Sequence, residues 1–380
     1  MREEKNIMPN SLFPNLGTPG AELVLTPDWF VLTDGTAAEV PSLVEAPPSP
    51  EKVKVFIDHE TPCGSASVAA EQKRLIRFAA ENRCELFNGC GVSYQLMLDR
   101  FVKPGQVVAH CGDFGSIYGG VGALAVKLTP AELASAIKEG VIRWRVPETA
   151  AVQLSGSLKR PACGKDAALA LLSRREAGLS GRLLLISGAE ALDPADRTAF
   201  FQLLSRSGCA AALCADGADG PALTLELDTV VPMVSNAEDL CSAAPAAEAA
   251  AIEPTAVFIG GCSAGRIEDI REAARLLKGK HSCRRLRLMV AFATTEVYVQ
   301  AANEGLIEAL MDGGAIVMNQ GCSACYAHSQ GLADGRDVVL SAGSRPCPNC
   351  AGEGNAKTYL CSAATAIASA IAGHVFPAES

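Results

Sequence analysis

The chain has 380 residues, of which 49% are hydrophobic and 20% charged, with a formal net charge of −9 and a pI near 5.2. That composition can bury large cores and excludes disorder, while the acidic balance excludes a nucleic-acid surface, which needs a basic stripe. No apolar run reaches the roughly 18 residues of a membrane span, and "MREEKNIMPNSLFPNLG" lacks the apolar stretch of a secretory signal. A cytoplasmic protein of two or three domains is expected, with no membrane and no nucleic-acid partner.

In chain order, "GAELVLTPDWFVLTDG" (Gly20–Gly35) has strand character and ends at Asp-Gly. In "KVKVFIDHETPCG", Val53, Val55 and Ile57 alternate with other residues before Pro62 ends the strand. An amphipathic helix is predicted over Ser67–Arg83, with Val68, Leu75, Ile76, Phe78 and Ala79 as its buried stripe. Its pattern is read as running on through "AAENRCELFNGCG", with Cys84 and Cys90 in the core. "GQVVAHCGDFGSIYGGVGALAVKLTP" reads as a strand, a Gly-rich loop and the start of a helix at Thr129. The "GGVGALA" loop lacks the lysine of a phosphate loop, so its glycines are assigned to close backbone packing.

The Ala/Pro-rich "CSAAPAAEAAAIEP" (Cys241–Pro254) marks the expected boundary between an N-terminal α/β region of two interleaved subdomains, 1–245, and a C-terminal α/β domain, 255–380. Beyond it, "AVFIGGC", "RLRLMVAF", "AIVMNQGC" and "DVVLSAGSR" read as strands. They alternate with helices "RIEDIREAARLLKG", "TEVYVQAANEGLIEALMDGG" and "SAATAIASAIAG". Such alternation predicts a parallel sheet covered on both faces, with ligands beyond the carboxyl ends of its strands. Cys262 follows one strand, and Cys322 and Cys325 follow another, so periodicity points to the three as neighbours on one rim.

Fifteen cysteines are many for a cytosolic chain too long to need disulfide staples. Three readings compete for those at strand ends. Cys322-x2-Cys325 and Cys347-x2-Cys350, with 21 residues between the pairs, could form a four-thiolate zinc site. Three strand-end thiolates could instead hold an iron–sulfur cluster with one iron open to a ligand. The third reading is packing alone.

"VFIGGCSAGRIEDIREAARLLKG" resembles the "CTNSRIEDL" segment of the aconitase and 3-isopropylmalate dehydratase large-subunit family, and "QGCSACYA" resembles that family's "GCSMC". The 60-residue interval between Cys262 and Cys322, "DHETP" at Asp58–Pro62, "PGQVVAHCGDFGSIYGGVGALA" and "WRVPETAAVQLSGSL" follow the family's order of motifs from about Gly20 to Val375. The resemblance implies a three-layer α/β/α architecture with parallel-rich sheets around a central [4Fe–4S] cluster, held by Cys262, Cys322 and Cys325 with one iron open. It implies a hydro-lyase that dehydrates or isomerises a small 2-hydroxy di- or tricarboxylate. It also implies a separate small swivel-domain subunit, because the chain ends just after the helix that closes the cluster domain.

By the same resemblance, Asp58, His59 and Asp113 match catalytic positions. Glu39, Arg266, Arg345, Tyr94, Ser116 and Arg206 fall at or near substrate-facing ones. The chain departs from the family at several of these. "GDSHT" has become "GDFGS", without its histidine. A second histidine is Tyr94, the Asn of "CTNS" is Ala264, and Gln202 and Arg206 stand where an Asn and a catalytic Glu are expected. "PCPNC", with Cys347 and Cys350, replaces the region of a second substrate arginine. These changes imply an altered substrate, with two alternatives: a related cluster enzyme using the open iron for another ligand such as sulfide (a desulfuration), or a non-catalytic metal-binding protein.

Overall fold

The computed structural model describes Phe13, Leu16 and residues 18–174, 178–215, 222–326, 329–331, 333–344 and 356–379. The chain opens with β1 (Glu22–Leu25). An all-parallel sheet follows, made of β2 (Trp29–Thr33), β3 (Val53–Ile57), β4 (Glu85–Asn88), β5 (Val107–His110) and β6 (Leu124–Lys127) in the order β4-β3-β2-β5-β6. β7 (Ile142–Arg145) returns to pair antiparallel with β1. β3 is buried at every position. Its alternate residues are covered too: Lys54 runs beneath the Trp29 and Phe101 rings and reaches Glu85 Oε2 at 2.7 Å. A strand covered on both faces is the mark of a parallel sheet.

β8 (Thr149–Ser155), β9 (Leu183–Ser187), β10 (Ala211–Cys214) and β11 (Ala222–Glu226) form a second parallel sheet, ordered β10-β9-β8-β11. Helices Gly164–Leu172 and Pro194–Leu204 pack on it through Leu169, Phe200 and Phe201, all fully buried. Burial of each such side chain contributes about 2–3 kcal/mol. Two glycines of "GGVGALA", Gly119 and Gly120, lie against this unit. A Cβ on Gly119 would fall 1.8 Å from the Ala212 carbonyl oxygen, and one on Gly120 would fall 3.2 Å from the Phe201 ring.

The third sheet joins β12 (Met233–Asn236), β13 (Ala244–Pro245), β14 (Ala256–Ile259), β15 (Arg287–Val290), β16 (Ala315–Val317), β17 (Val338–Ser341) and β18 (Lys357–Cys361) in the order β13-β12-β18-β17-β14-β15-β16. Its core is parallel, and β12 joins antiparallel through β18. Two strands that precede residue 246 therefore belong to this sheet, and the Ala/Pro-rich crossing is part of its edge. Ala246 is fully buried, and its N–H bonds the Pro232 carbonyl.

Two local expectations differ from the structure. The helix over Ala66–Asn82 stops at Arg83, which adopts the left-handed conformation (φ 58°) and closes the last turn, so Cys84 leads into β4 instead of continuing the helix. The segment "TEVYVQAANEGLIEALMDGG" is two helices, Thr295–Asn303 and Leu306–Asp312, because Gly305 takes φ 71° between them. Among the described residues no helix is long and apolar enough to cross a membrane.

Candidate active site

In the N-terminal sheet, β3 and β4 lie on one side of β2 and β5 and β6 on the other, so the strand order reverses beside β2, where open α/β sheets form a ligand crevice. Residues 34, 58–59 and 111–113 lie just past the carboxyl ends of β2, β3 and β5. The carboxyl ends of β14 and β16, with Cys262 and Cys322, meet this crevice from the C-terminal sheet. The Cys322 N–H donates to the Asp58 carbonyl at 2.9 Å, and Gln95 Nε2 donates to the Cys262 carbonyl at 3.1 Å. Gly321 (φ 124°) makes the first approach possible, since a Cβ there would lie 2.9 Å from the Asp58 carbonyl oxygen.

Between the sheets lies a narrow cavity of about 20 Å³. Asp58, His59, Tyr94, Asp113, Cys262, Cys322 and Cys325 all line it. His59 Nδ1 sits 3.0 Å from Asp34 Oδ1 and 2.7 Å from Asp58 Oδ1. Asp34 is held in turn by Gln72 Nε2 at 3.0 Å and by the backbone N–H groups of Asp58 and His59. Asp58 Oδ2 accepts the Ser93 N–H at 2.7 Å. Asp58 Oδ1 touches His59 without hydrogen-bond geometry and finds no donor.

This carboxylate–imidazole–carboxylate set is buried, yet charged. Burial alone would lower the His59 pKa, but the charges of Asp58 and Asp34 and the hydrogen bond to Asp34 outweigh it and raise the pKa from 6.5 to about 10. Burial likewise opposes the Asp34 carboxylate, but the His59 hydrogen bond and charge bring it down from 3.8 to about 2. His59 therefore stabilises the fold fully below its unfolded value near 6.5, and that contribution is lost as pH rises through about 10. The Asp34 contribution is present above 3.8 and lost as pH falls through about 2. The stability deficit of His59→Gln relative to the parent, measured by urea unfolding, should be largest near pH 6 and shrink towards pH 10.

The three cysteines are buried at 4%, 8% and 7% exposure. Cys325 N–H bonds the Cys322 carbonyl at 3.1 Å, a tight turn that turns both thiols to one side, with Ser323 held at φ 49°. The Cys262 thiol pKa is pushed well up, first by its hydrogen bond with the Cys325 thiol and then by burial. Glycines allow the backbone to close around them: a Cβ on Gly261 or Gly343 would lie 3.2 or 3.0 Å from Cys325 Sγ. Ligand atoms of Asp58, His59 and Cys322 fall within 4.8 Å of one another, but an imidazolium cannot ligate a metal, so the thiols are the stronger donor set.

The other expected site residues are distributed around the cavity. Tyr94 lines it, with its hydroxyl accepting the Phe114 N–H at 3.2 Å, and burial pushes the phenol pKa well up, so it stays neutral. Asp113 stands at the mouth, half-exposed, paired with Lys127 at 2.7 Å. Ser116 is not at the cavity: it is buried, and its hydroxyl is taken up by the Phe201 carbonyl (2.6 Å) and by Ser205. Arg206 reaches the carbonyls of Ser344 and Ala237, each at 3.3 Å. Arg266 hydrogen-bonds Gln95 and lines a neighbouring cleft of about 650 Å³ that shares the Cys262–Arg266 loop as a wall. Glu39 is exposed and does not line the cavity. Arg345, Cys347 and Cys350 lie outside the described residues.

The sequence reading missed Asp34, Gln72 and Gln95. "LTDG" looks like a turn, and only the pairing of β2 with β3 brings Asp34 to His59. Its position at the end of a central parallel strand was the available signal.

The architecture is that of an aconitase-like α/β protein. It superposes on the holo form of Thermococcus kodakaraensis aconitase X with a TM-score of 0.56, covering 88% of each chain at 12% identity. The profile of the aconitase family (aconitate hydratase) matches residues 221–373. Over 92% of each chain, the protein is 31% identical to 3-isopropylmalate dehydratase large subunit 2 of Archaeoglobus fulgidus. It is 28% identical to the homoaconitase large subunit of Thermus thermophilus, over 95% of this chain and 93% of that protein. The chain belongs to the aconitase and 3-isopropylmalate dehydratase large-subunit family, as a divergent member, and is an enzyme of its dehydratase/isomerase class.

Proposed function

We propose that this chain is the cluster-binding large subunit of a two-subunit hydro-lyase that dehydrates or isomerises a small 2-hydroxy di- or tricarboxylate. The observation that carries this reading is the meeting, at one cavity, of three buried thiols with a charged His59 between Asp34 and Asp58. Three thiols and no fourth nearby ligand thiol among the described residues suit a [4Fe–4S] cluster held by Cys262, Cys322 and Cys325. Asp58 Oδ1, in ion-pair contact with His59 but without a hydrogen-bond donor, suits a site that takes a further polar occupant. When bound, the cluster supplies a Lewis acid for the substrate's hydroxyl and adjoining carboxylate.

The protein's own groups then serve the leaving hydroxyl. Asp34 and Asp58 engage Nδ1 of His59 and leave Nε2–H as the proton available to the cavity. With a pKa of about 10, the imidazolium holds its proton until a strong base develops beside it. Tyr94, locked neutral, can only orient substrate oxygens. Among the described residues that line the cavity, none besides the paired Asp113 and the committed carboxylates suits the carbon-bound proton, so that base is assigned to the separate small subunit. The relatives are themselves named large subunits.

The test is reconstitution. The cluster-loaded chain alone should show no turnover of a panel of 2-hydroxy di- and tricarboxylates, and turnover should appear when its small swivel-domain subunit is added. Turnover by the isolated chain would overturn the two-subunit reading.

A further inference from the structure

We propose that Lys165 is a positioning residue for the thiol cavity: its buried ammonium staples the loop carrying Cys262 to the segment that backs Cys325. Lys165 is 2% exposed on helix Gly164–Leu172, a helix of the middle sheet unit. Its Nζ nevertheless reaches into the C-terminal unit, donating to Ser263 Oγ at 2.8 Å, to the Gly343 carbonyl at 3.0 Å and to the Ala342 carbonyl. These three bonds use every N–H of an ammonium.

The acceptors are placed with respect to the thiols. Ser263 directly follows Cys262, and its hydroxyl also donates to the Ala342 carbonyl at 3.0 Å. Gly343 packs so closely on Cys325 that a Cβ there would stand 3.0 Å from the sulfur. Arg206, from the same middle unit, adds its guanidinium to the next carbonyl, Ser344, at 3.3 Å. Among the described residues no carboxylate hydrogen-bonds Lys165. It is a buried cation spent wholly on the backs of two cysteine loops, and burying one is costly unless its hydrogen bonds are complete. The middle unit thus fixes the spacing of Cys262 and Cys325 through the loops behind them.

This inference rests on reading the three thiols as one ligand set. Its test is run on protein stripped of iron, so failure to find a cluster and failure of the staple are separate results. Iodoacetamide alkylation is followed at each cysteine by peptide mapping, with the buried Cys84 and Cys111 as internal controls. Lys165→Met should raise the alkylation rates of Cys262 and Cys325 by about tenfold through local opening, with Cys84 and Cys111 unchanged. Should Lys165→Met lose its fold, all buried cysteines will react alike, and Ser263→Ala, which removes one acceptor, decides. It should speed Cys262 and Cys325 severalfold over the controls. Rates within about twofold of the parent in the folded variant overturn the proposal.

Discussion

Replacing Cys262 by alanine is expected to remove the metal centre and abolish turnover while leaving the fold in place. Cys262 is buried at the carboxyl end of β14 and shares a hydrogen bond with Cys325. It stands 60 residues from Cys322. A three-thiolate cluster cannot be held by the Cys322–Cys325 turn alone. The variant also separates this account from the two-pair zinc reading. Zinc held by Cys322, Cys325, Cys347 and Cys350 would not involve Cys262, so on that reading its loss would leave metal content unchanged. The Cβ of alanine keeps the backbone of the Cys262 loop in place, with its carbonyl still accepting from Gln95, so unfolding is not the expected outcome. A cooperative melt near that of the parent checks this.

The second large effect is at His59. His59→Asn should lower kcat by about three orders of magnitude, in the range expected for loss of a positioned general acid. The structure gives a reason beyond the missing proton. The imidazolium lies between the buried side chains of Asp34 and Asp58 and holds the Asp34 carboxyl pKa down to about 2. Without it the Asp34 carboxyl loses the charge that offsets its burial. The activity of the variant should therefore not be rescued by added small acids, and the cluster content should stay at the parent level. A fall in kcat of less than tenfold, with the cluster intact, would remove His59 from the chemistry.

Much of this site was legible in the chain because parallel α/β sheets put ligands at strand ends. Gly-Gly-Cys after "AVFI" and Gly-Cys after "AIVMNQ" were enough to bring Cys262, Cys322 and Cys325 together, and the structure lines one cavity with them. Asp58 and His59 were picked out by the resemblance of "DHETP" to a family motif, and both line the same cavity. What escaped was whatever depends on a partner far off in sequence. Asp34 becomes a site residue only because β2 pairs with β3, and "TDG" reads as a turn until it does. Lys165 lies in "GKDAALALL", where a lysine near a helix start looks solvated, yet the middle and C-terminal units close over it. The helix predicted over Ser67–Arg83 ends at Arg83 as expected, but its left-handed turn there starts a strand, and reading "AAENRCELFNGCG" as helix missed β4. Ser116 and Arg206, placed near substrate by motif alignment, instead spend their polar groups on backbone carbonyls.

The central claim is that Cys262, Cys322 and Cys325 together hold an iron–sulfur cluster. The most direct measurement is the iron and acid-labile sulfide content of the chain purified without oxygen, alongside its Cys262→Ala variant. The account predicts a brown parent with about four irons and four sulfides per chain, and a colourless variant with neither. A colourless parent that carries zinc, or a variant that keeps the parent's metal, would contradict it.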